Sequence, residues 1–171
     1  MRALLLGVTL LATTSLGAQS TAPVTAPVTA PATAQSASNV RPAADVEYLT
    51  PFGPPTRPFS PAVRVGDLIF LSGQIGTDAA NARANTVVSG GIEAETRQTL
   101  INIRRTLEAV GSSMEKVVKC TVMMADMAEW DRMNGVYREF FTPGKLPARS
   151  AFGTSGLALN ARVEIECIAT R

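Results

Sequence analysis

Two residues in the C-terminal third have the type and setting that chemistry on a small acid needs. Arg149 lies in Leu146-Pro147-Ala148-Arg149-Ser150, where proline stiffens a predicted loop and fixes where the guanidinium points. A planar guanidinium grips a carboxylate through two parallel hydrogen bonds, which orients the acid as well as holding it. The competing reading is a surface or structural arginine. Glu164 sits in an alternating segment, on the face opposite Val163 and Ile165 and together with Glu166. If that face is covered, Glu164 is a partly buried carboxylate with raised proton affinity, suited to exchanging a proton with water. If the face is open, both glutamates are solvated surface acids. Ser72-Gly73-Gln74 ends a strand, and its glycine lets a ligand approach the backbone. Asn134 is an amide inside a predicted helix, where asparagine is a poor former, so a polar role and plain surface placement both fit.

Composition narrows the chemistry further. The 171 residues contain no His, so one subunit has no His-based triad, His-ligated zinc or His proton shuttle. Two cysteines are too few for a four-cysteine metal site, and no metal is expected. A net charge of +2 is too balanced for a nucleic-acid binder. Cys120 and Cys167 both fall on apolar strand runs. An oxidising compartment permits a disulfide between them, but buried free thiols acting as small hydrophobes are the expectation.

The elements that must position these groups follow from hydrophobic period. Asp67 to Ile75 reads as a strand, apolar on both sides, followed by a turn-rich stretch to Gly91. Residues 93–110 read as a helix with Leu100, Ile103, Leu107 and Val110 on one stripe, stopped by Gly111. Lys116 to Met124 is a second strand. Asp126 and Glu129 resemble a capping pair opening a second helix, Ala128 to Phe141, whose buried stripe is Trp130, Met133, Tyr137 and Phe140. A short strand around Ser150 to Thr154 and an alternating strand, Arg162 to Ala169, complete an α+β domain. Two helices cover one face of the sheet. The strand around Val117–Met124 is apolar on both faces, so another copy of the sheet is expected to cover the second, with sites at subunit boundaries.

The N-terminal part has a different character. Only Arg2 is charged among residues 1–40. Met1-Arg2 and an apolar run to Ala12 read as a signal peptide, residues 1–18, with small residues at Ser15, Gly17 and Ala18. The run is too short to span a membrane, and no stable membrane association is expected after cleavage. Residues 19–40, with Thr-Ala-Pro-Val repeats, read as a disordered linker. Residues 41–171 form the domain, opening with an irregular arm, 42–61, that lies against it. The expected location is periplasmic or secreted.

These pieces, in order, resemble the reactive intermediate deaminase (Rid/YjgF) family. The resemblance runs from Pro58 to Arg171 and rests on Pro58-Phe59-Ser60-Pro61-Ala62-Val63, Phe70-Leu71-Ser72-Gly73-Gln74-Ile75, Ser89-Gly90-Gly91-Ile92-Glu93, Asn134-Gly135-Val136-Tyr137-Arg138-Glu139-Phe140-Phe141, Pro147-Ala148-Arg149-Ser150 and Val163-Glu164-Ile165-Glu166. It implies a chorismate-mutase-like sheet covered by two helices on one face and trimerising through the other, with three clefts between subunits. It also implies cofactor-free hydrolysis of small enamines and imines of amino acids to 2-oxo acids and ammonia, the 2-iminobutanoate/2-iminopropanoate deaminase type of activity. On that resemblance Arg149 holds the substrate carboxylate, Glu164 activates water, Gly73 offers backbone contacts and Asn134 lines the cleft. Two positions depart from the pattern. Phe59 stands where the active deaminases carry tyrosine, and Ala151 where they carry cysteine. The alternative is a non-catalytic member that binds small carboxylates.

Overall fold

The structure is a computed structural model, and it describes residues 44–54, 56–78 and 86–171. The predicted signal peptide and linker, and most of the turn-rich stretch after Asp78, lie outside the described residues.

One mixed sheet carries the domain. Its strands are β1 (Val46–Leu49), β2 (Ala62–Val65), β3 (Leu68–Leu71), β4 (Gln74–Ile75), β5 (Val117–Met124), β6 (Ala148–Gly153) and β7 (Val163–Thr170). They run in the order β1-β2-β3-β7-β5-β6, with β4 also paired to β7. All pairings are antiparallel except β5 with β6. Helices α1 (Gly91–Ala109) and α2 (Trp130–Arg138) lie on one face, the two-helix, one-face architecture expected from the sequence. α1 starts at Gly90 and Gly91, both at positive φ, where a side chain would be strained.

The core forms where the apolar stripe of each helix meets one face of the sheet. Leu100, Ile103 and Leu107 of α1 and Met133 of α2 are fully buried against Ile69, Val122, Met124, Val163 and Ile165. Each such side chain contributes about 1.5–3 kcal/mol over leaving it in water. Among the described residues, no helix covers the other face. There Tyr48, Val63, Phe70 and Ile168 stand side by side across four strands, with Tyr48 72% and Phe70 41% exposed.

Several boundaries differ from the sequence reading, each for a physical reason. The strand expected over 67–75 is broken. Phe70 pairs with Ile168 and Gln74 with Ile165, so four steps on one strand match three on the other, and the extra residue bulges at Leu71–Gly73. The second helix begins as a 3₁₀ turn, Met127–Glu129, and α2 ends at Arg138. Asp126 does cap, accepting from the Ala128 N–H at 2.8 Å. Glu129 does not complete a capping box, because Arg162 takes its carboxylate at 2.9 and 3.0 Å. The arm contains a regular strand, β1, and Phe52 lies under Arg105 of α1 at 4.6 Å.

The expectation of free thiols is corrected. Cys120 of β5 and Cys167 of β7 stand directly opposite each other, with Cα atoms 4.1 Å apart, and form a disulfide. Both were assigned to apolar strands, but only the pairing register brings them together.

Candidate active site

The residues singled out from sequence fall into two groups on opposite faces of the sheet. Arg149 is the second residue of β6, not part of a loop, and Pro147 marks the entry to this edge strand. In register it stands beside the buried Cys120, and Ala151 beside Val122, which puts both on the helix-covered face. There the Arg149 guanidinium lies 4.9 Å from the Trp130 ring centre and 4.7 Å from that of Tyr137, both on α2. Asn134, buried on the same helix, lines a cleft of about 290 Å³ together with Tyr137, Arg138, Leu146, Pro147 and Arg149. Arg149 has no carboxylate partner among the described residues, whereas Arg64, Arg97, Arg132 and Arg162 are paired with Glu47, Glu139, Glu93 and Glu129. Its fork is free to take an acid.

Glu164 belongs to the other face. It pairs across the sheet with Met123, between the buried Val163 and Ile165, as the alternation of β7 predicts. Its carboxylate lies over Gly73: a Cβ at residue 73 would meet Glu164 Oε1 at 2.0 Å. Burial raises the pKa of Glu164 above its ordinary 4.5, and the neighbouring Glu166 raises it further. The Gly73 corner is fixed by hydrogen bonds. Ser72 Oγ donates to the Ser60 carbonyl at 2.7 Å, and the Ser72 N–H to the Pro61 carbonyl at 3.1 Å. These tie the corner to the segment carrying the exposed Phe59.

Thus one chain brings Arg149, Asn134 and Ala151 together, and separately Glu164, Gly73 and the Phe59 segment. It does not bring Arg149 to Glu164. Three contributors were missed from sequence. Trp130 and Tyr137 do lie on the expected buried stripe of α2, Tyr137 in the core and Trp130 packed against it, but nothing in the sequence shows that they also face Arg149. Asn102, buried on α1, donates to the carbonyls of Ile75 at 3.1 Å and Thr77 at 2.9 Å, and so anchors the end of β4. The available signal was an amide beside Leu100 and Ile103 on an apolar helical stripe. Among the described residues no three His, Cys, Asp or Glu side chains gather as a metal site requires.

Comparison with known proteins places this architecture. The family model described as Endoribonuclease L-PSP matches residues 52–171. Reactive Intermediate Deaminase A of Arabidopsis thaliana chloroplasts is 41% identical over 113 residues, 66% of this chain and 58% of that protein. The chain thus spans somewhat over half the length of that relative. The 2-iminobutanoate/2-iminopropanoate deaminase of Dermatophagoides farinae is 42% identical over 120 residues, 70% of this chain and 91% of that protein. Among solved structures, yeast Mmf1 superposes with a TM-score of 0.65 at 30% identity, covering 74% of this chain and 99% of that one. The YjgF gene product of E. coli gives 0.63 at 30% identity, covering 72% and 97%. With the fold, the ordered motifs and these relatives in agreement, the chain belongs to the Rid/YjgF (L-PSP) family.

Proposed function

We propose that this protein hydrolyses small 2-imino acids, and their enamine tautomers, to 2-oxo acids and ammonia in clefts between subunits of a homotrimer. The observation that carries this reading is the division of the site. An arginine with no carboxylate partner among the described residues stands on one face of the sheet, and a partly buried glutamate over a glycine corner stands on the other. A second copy laid on the apolar row Tyr48, Val63, Phe70 and Ile168 can complete the site, with Arg149 from one subunit and Glu164 from the next. Names of relatives support the reaction: several are 2-iminobutanoate/2-iminopropanoate deaminases.

The chemistry asks little of the protein, because the imine carbon is already electrophilic. Arg149 holds the substrate carboxylate and so fixes that carbon in the cleft. Glu164 takes a proton from water as the water oxygen bonds to the carbon, and the proton passes to nitrogen. The carbinolamine collapses to the 2-oxo acid and releases ammonia. No cofactor enters. The raised pKa of Glu164 suits a group that accepts and returns a proton in one cycle. Phe59 supplies no hydroxyl at the cleft, and Ala151 contributes backbone on the β6 edge. RNA cleavage is less well supported, since Arg64, Arg97, Arg132 and Arg162 are neutralised by glutamates and the net charge of the whole chain is only +2.

An oxidising location after export is part of this proposal. It is supported by the apolar segment behind Arg2 and by the Cys120–Cys167 disulfide. Mass spectrometry of native protein is expected to show an N-terminus near Ala18 or Gln19. An intact Met1 on cytosolic protein overturns export.

The reaction itself is tested by supplying imine from an amino-acid oxidase and following its loss. Turnover by wild type and not by Glu164→Gln supports the enzyme. Binding of 2-oxobutanoate with no turnover supports a carboxylate-binding protein instead.

A further inference from the structure

We propose that Trp130 and Tyr137 form an aromatic clamp that positions Arg149, so that α2 sets how firmly the protein holds a small acid. The ligand part of this inference rests on the functional reading above; the clamp itself does not.

The two rings are seven residues apart on α2, two turns of helix, which separates their attachment points by about 10 Å along the axis. The Arg149 guanidinium stands within 5 Å of both ring centres, a separation that matches a slot between them. Cations within about 6 Å of a ring centre are drawn to its π face. Arg104 and Arg105 each meet one ring among the described residues, and Arg149 alone meets two.

This way of holding an arginine differs from an ion pair in one decisive respect. A carboxylate partner would consume the N–H donors, whereas aromatic faces restrain the plane and leave the donors unspent. Tyr137 is suited to the task because its phenol stays neutral. Burial pushes its pKa up to about 12 against the pull of Arg149, so no phenolate competes with an incoming acid. Trp130 is held at its base: the preceding Glu129 is gripped by Arg162, and Tyr137 packs on Phe141 with ring centres 4.8 Å apart. Both ends of the clamp are therefore tied to neighbouring parts of the fold.

Trp130 is the single tryptophan of the chain, which makes the clamp directly observable. In the full-length protein without ligand, Arg149→Ala is expected to shift the emission maximum of Trp130; an unchanged spectrum overturns the clamp. Calorimetry with 2-oxobutanoate gives the second readout. Trp130→Leu is expected to weaken binding about fivefold, Trp130→Phe to recover most of the loss, and Trp130→Leu to add nothing in the Arg149→Ala background. A full fivefold effect of Trp130→Leu in that background overturns positioning through Arg149. Equal affinity of wild type and Trp130→Leu overturns it too. If wild type binds no 2-oxo acid, the functional reading and the ligand part fall together, and the emission shift still decides the clamp.

Discussion

The carboxylate of Glu164 occupies the space that a side chain at residue 73 would need. Gly73 is not at positive φ, so its requirement is room and not backbone freedom. Gly73→Ala should fold, because the obstructing atoms are the end of a flexible side chain that can swing away. It should also displace the group assigned to water activation, lowering turnover by about a hundredfold or more, the scale of a lost general base. Circular dichroism and the imine-hydrolysis assay check the two halves of this expectation. Turnover at the wild-type level would remove Glu164 from the mechanism.

Glu164 also predicts a pH signature with a definite sign. Its folded pKa lies above 4.5, raised first by burial and then by Glu166, so the folded chain binds more proton than the unfolded one in the window above 4.5. Stability tied to this group is complete below that value and is lost as pH rises through the folded pKa. Glu164→Gln is expected to be more stable than wild type at neutral pH, and the gap should close below about pH 4. Urea titrations across this range test it. A variant less stable than wild type at every pH contradicts the assignment of a desolvated carboxylate.

Arg149→Ala should weaken binding of small 2-oxo acids by about tenfold or more, since a charge-assisted bidentate pair is worth over 1.5 kcal/mol. Arg149→Lys should recover little, because an ammonium keeps the charge but not the fork. Melting temperature should fall by a few degrees at most, the scale of the lost contacts with Trp130 and Tyr137. Calorimetry showing wild-type affinity in Arg149→Ala would reduce this residue to a structural arginine.

Because Arg149 and Glu164 lie on opposite faces, two impaired variants should complement. Co-expressing Arg149→Ala with Glu164→Gln allows clefts with both groups intact, and random assembly in a closed ring gives about a quarter of wild-type activity. Glu164→Gln alone should stay inactive, and Arg149→Ala alone should stay at about a tenth or less at limiting substrate. Activity that never returns in mixed trimers would place both groups in one subunit.

The Cys120–Cys167 bond closes a loop with a sequence separation of 47. In the chain-entropy description this stabilises the domain by about 4 kcal/mol. Protein refolded with reductant should show a correspondingly lower urea midpoint than protein refolded oxidised. Coincident midpoints would mean that the bond carries no stability.

Legibility in the sequence followed the range of each signal. The alternation of β7 and the stripe of α1 are local, and both place their residues on the faces the structure has. The bulge before Gly73 was invisible, because a run apolar on both sides looks the same with or without an extra residue. Pro147 suggested a loop for Arg149, whereas proline is also at home at the start of an edge strand. The cysteine pair depends on register between strands 47 residues apart, which no local pattern encodes. Helical spacing correctly puts Trp130 and Tyr137 on the buried stripe of α2, but that spacing is the same whether a ring meets only leucine or a guanidinium as well. That Glu164 would sit apart from Arg149 within one chain needed the strand order.

The parallel pairing of β5 with β6 has a consequence for inheritance. Parallel neighbours require a crossover, and here the crossover is α2, so Trp130, Asn134, Tyr137, Arg149 and Ala151 all lie on one uninterrupted stretch from Val117 to Gly153. Gly73, Phe59 and Glu164 come from outside it. On the proposed function, the half of the cleft assigned to gripping the acid is therefore one contiguous cassette, open to exchange by recombination or by design while the half assigned to handling water stays in place. In the proposed trimer, two diverged copies would form hybrid clefts, each pairing the arginine of one parent with the glutamate of the other.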